Sequence, residues 1–263
     1  MRSLRLVLLG VGIVLFVMLG VHGRFAMREA PRAATREPAD PVLEARLAVE
    51  RRIADAPDYA PFFGRVAHDF PADYADIIGG FAQTIARGGE PAGVDSYVSQ
   101  TVRALRQSRG AMAAKAEPAT LARIFDMQAQ VMTALAGVDQ RLCVDFLYGG
   151  ASEGFFAFSA AHRPMIAQMA NAGLDAIENG LARRVDRPAP SEADFAALDA
   201  ALTQRGLSRG EIEQLLDGKS PEPALPDAQV CHAGQVYLDV LRAMPPEARE
   251  RIYGLAVELM AHS

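Results

Sequence analysis

From Pro41 onward the apolar residues recur every three or four positions, and no stretch alternates valine, isoleucine and threonine as a half-buried strand would. Val94, Val98, Val102 and Leu105 follow at intervals of four, four and three, the trace of one helical stripe. After Pro118 the same period carries Leu121, Ile124, Phe125, Gln128, Val131, Met132 and Leu135. It returns in Val230, Ala233, Tyr237, Val240 and Met244, and again in Ala248, Ile252, Leu255 and Leu259. A chain patterned this way has only helices to pack. The expected fold is all-α, an irregular multi-helix bundle of about eight to ten helices.

Caps and breakers divide the pattern. Asp40 before Pro41 reads as an N-cap with proline in the first turn, opening a helix to about Asp55 with Leu43, Leu47 and Ile53 expected on the buried side. Pro57, Pro61 and Pro71 punctuate the next stretch, and a helix carrying Ile77, Ile78, Phe81 and Ile85 stops at Gly88-Gly89. The segment from Pro118 to Tyr148 reads as one long helix or two joined near Gly137, ended by Gly149-Gly150. Pro164 predicts a break within 152–184. Ser191 with Asp194, and Ser208 with Glu211, have the spacing of capping boxes before two short helices, the first carrying Phe195, Leu198 and Leu202.

Ahead of this domain, Arg2 and Arg5 precede an almost unbroken apolar run from Leu6 to Val21. A basic end followed by such a run is how a secretory signal or an uncleaved signal-anchor is built. Val21, His22 and Gly23 match the small-residue requirement of a cleavage site poorly, which favours the anchor. The sixteen residues span roughly 24 Å as a helix, thin for a bilayer core of about 30 Å, and the flanking residues supply the rest. Residues 1–24 therefore read as a signal-anchor or signal peptide. Residues 25–40 read as a flexible linker of Pro, Ala, Arg and Glu, and 41–263 as an exported α-helical domain. The expected location is a single pass of the inner membrane with the C-terminal domain in the periplasm, or a periplasmic or secreted product if the signal is removed.

Cys143 and Cys231 are the two cysteines of the chain, each beside apolar residues at helical spacing. In an oxidising compartment an even count invites pairing, so a disulfide is expected. It closes a loop of 88 residues, for which the chain-entropy argument gives about 4–5 kcal/mol.

The formal charge is −5, and the exported part is about two units more acidic once Arg2 and Arg5 are set aside. Its charges are interspersed, which argues against nucleic acid as a partner. His68, His162 and His232 stand outside any ligand spacing, and neighbours such as Cys231 and His232 point about 100° apart on a helix. Asp69, Asp73 and Asp76 gather where a helix starts, as the macrodipole favours. Nucleophile-elbow, phosphate-loop and dinucleotide motifs do not occur, so no catalytic residue, cofactor or metal is expected.

The least ordinary text is CVDFLYGGASEGFFAFS, where Phe146, Tyr148, Phe155, Phe156 and Phe158 put five of the eighteen Phe and Tyr residues around a diglycine. These five form the candidate binding surface. Since 155 and 156 diverge by about 100° on a helix, Phe155 and Phe158 are expected in the core and Phe156 nearer solvent. The function expected is a membrane-tethered, non-catalytic helical domain that binds or scaffolds another cell-envelope protein. The alternative is an apolar small-molecule or lipid-binding domain using the aromatic hairpin at 143–159.

Overall fold

The computed structural model describes residues 40–219 and 221–261. Within them lie twelve helices and no strand: α1 (Pro41–Ala54), α2 (Ala60–Asp69), α3 (Pro71–Ala86), α4 (Val94–Ala113), α5 (Pro118–Ala136), α6 (Gln140–Leu147), α7 (Glu153–Ala161), α8 (Arg163–Ala182), α9 (Glu192–Gln204), α10 (Arg209–Asp217), α11 (Asp227–Ala243) and α12 (Pro246–Ala261). The fold is all-α, and the expected eight to ten helices are corrected to twelve among the described residues. The chain from 118 to 148 and from 152 to 184 each divides in two. Helix α2 arises in the stretch that the prolines punctuate, because Pro61 sits in the first turn, where no backbone N–H is needed. The apolar run at 6–21 and the linker through 39 lie outside the described residues. Among those described, no helix is long and apolar enough to cross a membrane.

Helix α4 packs on α8 and α12, α5 packs on α8, α6 and α11, and α1 lies along α3. Stacked rings tie the layers: Phe125 of α5 lies 3.8 Å from Tyr253 of α12, and Phe81 of α3 lies 4.6 Å from Tyr97 of α4. Helices α4 and α8 meet most closely at Gly180, where a Cβ would stand 1.8 Å from the carbonyl oxygen of Met112. Three hydrogen bonds fix that crossing. The Glu117 N–H donates to Asn179 Oδ1 at 2.7 Å, the Val185 N–H to the Lys115 carbonyl at 2.8 Å, and Arg187 Nη2 to the Ala116 carbonyl at 2.6 Å.

Two buried carboxylates join separate helices. Asp95 accepts from the Tyr59 hydroxyl at 2.9 Å and from Arg163 Nε and Nη2 at 3.2 and 3.0 Å, linking α2, α4 and α8. Burial, and then this carboxylate, push the Tyr59 hydroxyl far above its ordinary pKa. Asp194, in the capping box of α9, takes Arg251 Nη2 at 2.7 Å and Nε at 2.9 Å from α12. That guanidinium, with the Ser191 N–H, holds Asp194 well below the usual carboxylate range.

Helix α1 turns a different side inward from the one the sequence predicts. Ala45, Val49 and Ile53 are buried, while Leu43 and Leu47 are 54% and 49% exposed. The stripe led by Ala45 is the smoother one, and it lets α1 lie close against α3. Phe195 and Leu259 are likewise exposed, because α9 buries Asp194, Leu198 and Leu202, and α12 buries Ala248, Ile252, Tyr253, Val257 and Ala261.

Candidate functional site

Cys143 of α6 and Cys231 of α11 are bonded, with Cα atoms 5.6 Å apart and both residues buried. Gly234, one turn beyond Cys231, lets α11 approach this region: a Cβ there would stand 3.1 Å from both Leu147 and Met132 side chains. The bridge therefore anchors α6 just where the aromatic segment begins.

Helix α6 ends at Leu147, Gly149 adopts φ 75° in the left-handed region that favours glycine, and the Ser152 hydroxyl restarts the helix by accepting from the Phe155 N–H at 3.3 Å. Phe155 and Phe158 point into the core, their rings 6.5 Å apart, and Phe146 lies 6.0 Å from Phe155. Phe158 stacks on the His162 ring at 4.2 Å, and His162 Nδ1 is 2.9 Å from the Phe158 carbonyl. Phe156 is half-buried, edge-on to Phe155 at 6.3 Å. Tyr148 turns outward, 55% exposed, its hydroxyl accepting from Gln214 Nε2 of α10 at 3.0 Å. The five aromatics thus do not form one surface. Two fill the core, Phe146 and Phe156 edge it, and Tyr148 stands at the tip of the α6–α7 corner.

A second feature was not anticipated from the sequence. An open cleft of about 490 Å³ lies between α5 and α8, lined among others by Thr120, Arg123, Asp175, Glu178, Asn179 and Arg183. Arg65 of α2 reaches α8, donating from Nη2 to Asp175 at 2.7 Å and Glu178 at 2.8 Å, and from Nη1 to Asn171 at 2.7 Å. Next to it His68 Nδ1 lies 2.6 Å from Asp69 Oδ1, which holds Asp69 below its ordinary pKa. Glu178 moves the opposite way, raised by burial and also by Asp69. Its Oε1 is buried and receives no hydrogen bond from the described residues. Burial and the neighbouring Asp69 carboxylate thus disfavour the charged form of Glu178, while Arg65 favours it. The only trace in the sequence is the spacing of Asp175 and Glu178, three apart on one helix face, whereas Arg65 is more than a hundred positions away. Among the described residues no group of three or more His, Cys, Asp or Glu is placed to hold a metal ion. A smaller, mostly apolar groove of about 210 Å³ runs between α9 and the end of α11, along Ala197, Ala201, Val240 and Met244.

Fold and site together define an all-α, disulfide-bonded domain with an aromatic corner and a polar interhelical cleft. No family model, curated protein or solved structure matches the chain.

Proposed function

We propose that the protein is a membrane-tethered, non-catalytic helical domain that docks another cell-envelope protein through the α6–α7 corner. In this reading the apolar run at 6–21 holds it to the inner membrane and residues 41–263 face the periplasm. The disulfide supports a non-reducing compartment. The observation that carries the docking role is Tyr148, 55% exposed on a corner whose neighbours are immobilised by the Cys143–Cys231 bridge and by buried Phe155 and Phe158. A large ring presented on a rigid support loses little entropy on binding, which is why tyrosine is enriched at the energetic centres of interfaces.

The test is a photo-crosslinking residue at position 148 in native membranes. One discrete adduct is expected, and Phe156→Ala in the same chain should weaken it without unfolding the domain. Phe155→Ala, by contrast, should cost about 3–5 kcal/mol of stability, as for other buried phenylalanines. A folded protein that yields no discrete adduct from position 148 overturns the proposal.

A further inference from the structure

The outward face of α1 carries Leu43 and Leu47, one turn apart and each about half exposed, with Val42 at 37% beside the first turn. The helix cannot roll to hide them, because Ala45, Val49 and Ile53 already fix its other side in the core. Glu50 on one flank is engaged by Arg46 Nε at 3.0 Å, and Arg51 on the other flank makes no ion pair among the described residues. The face is therefore two leucines edged by Arg51 and by the exposed Glu44. Resting on the membrane-tether reading above, we propose that α1 lies on the bilayer, with Leu43 and Leu47 inserted at the headgroup boundary of an anionic phospholipid membrane.

The chain before α1 names the occupant. Eighteen residues separate Val21 from Asp40, and a coil of that length reaches only about 25 Å on average. Helix α1 thus begins within a short distance of the bilayer surface, at an effective concentration that makes even weak insertion well populated. The stretch from Arg24 to Ala39 holds four arginines against two glutamates, a sign that suits anionic headgroups. Two leucines also fall well short of the roughly 1,000 Å² that a specific protein interface needs, whereas a lipid surface sets no such threshold. Exposed apolar side chains along one face of an amphipathic helix are the general pattern of helices that lie in the interface plane.

The chain contains no tryptophan, so Leu47→Trp installs a single fluorescent reporter at the proposed contact. The full-length variant would be reconstituted into vesicles of phosphatidylcholine and phosphatidylglycerol, with flotation read in parallel. Brominated acyl chains should remove most of the emission from position 47, which should also shift to the blue, and adding Leu43→Glu should reverse both changes. Leu259→Trp, on α12 at a leucine 61% exposed, serves as the control and should stay unquenched. Emission from position 47 that is unquenched in floated protein, or no more quenched than from position 259, overturns the inference while leaving the tether intact. A blue shift without bromine quenching overturns it too, and assigns the face to a protein partner or second copy. A chain that does not float with the vesicles defeats the tether reading itself.

Discussion

Gly173→Ala and Gly180→Ala make the same chemical change in the same helix and should move stability in opposite directions. At Gly173 a Cβ would meet nothing within 4 Å, so the variant should gain about 0.5–1 kcal/mol from the smaller conformational entropy alanine loses in a helix. At Gly180 the new atom would stand 1.8 Å from the Met112 oxygen, 2.8 Å from its carbonyl carbon and 3.3 Å from the Ala116 nitrogen. All three are backbone atoms, and no rotamer can clear them. Bringing the oxygen from 1.8 Å to the 3.4 Å of ordinary contact requires α4 and α8 to part by about 1.6 Å, in an interior that is close-packed. The bonds from Glu117 to Asn179, Val185 to Lys115 and Arg187 to Ala116 are already between 2.6 and 2.8 Å. Stretching them by that much largely forfeits them, at about 1 kcal/mol each. Overpacking of this kind costs about 1–3 kcal/mol and occasionally more, against about 1 kcal/mol of helix propensity regained. With the lost bonds added to the overpacking and the propensity subtracted, the net expectation for Gly180→Ala is a loss of about 3–5 kcal/mol. Urea unfolding followed by circular dichroism reads both variants, with an unchanged slope showing that the unfolded state is not the source. Equal or greater stability of Gly180→Ala than of the parent would refute the close α4–α8 crossing.

Replacing both Cys143 and Cys231 with serine should lower stability by about 4–5 kcal/mol, and reductant added to the parent should bring it to the same level; a difference below about 1 kcal/mol would show that the 88-residue closure does not constrain the unfolded chain. Asp194 titrates below the usual carboxylate range when folded, so its contribution is present above that range and is lost as pH falls through its lowered value. Arg251→Met should therefore reduce stability at neutral pH and make its decline on acidification shallower; a steeper acid limb would contradict the pairing. Glu178 is raised instead, so its contribution is fullest below the ordinary glutamate value and fades as pH rises through the raised one. Glu178→Gln, which keeps an acceptor for Arg65 and gains a donor toward Asp69, should remove that fading and match or exceed the parent at neutral pH. A large loss there would mean the folded protein needs Glu178 ionised.

Signals written within one helical turn were readable from the sequence. Asp40 caps α1, and the capping boxes at Ser191–Asp194 and Ser208–Glu211 are both present, because a cap depends only on residues two or three apart. The break near Pro164 separates α7 from α8, where His162 bridges the two helices. Which stripe of a helix turns inward was less legible. In α1 two leucines lost the interior to Ala45, Val49 and Ile53, and at Phe195 and Leu259 the larger residue again stayed outside. Periodicity counts apolar residues but does not weigh the shape of the neighbour they must fit, and α3 accepts the smoother stripe. The polar cleft was not legible at all. Arg65, Asp69 and Glu178 meet only because α2 packs on α8, and sequence carries no local trace of a contact made across that distance.

The Cys143–Cys231 bridge also limits what can go wrong during synthesis. A chain with two cysteines has a single pairing available within itself, so oxidation requires no isomerase to sort correct bridges from incorrect ones. Cys143 emerges 88 residues before its partner and waits as an unpaired thiol while α7 to α10 are made. During that interval the one erroneous bond open to it is with a second chain. A covalent dimer on a non-reducing gel therefore marks molecules whose Cys143 met a neighbouring chain before α11 had emerged, and its abundance reports how crowded the chains are as they are made.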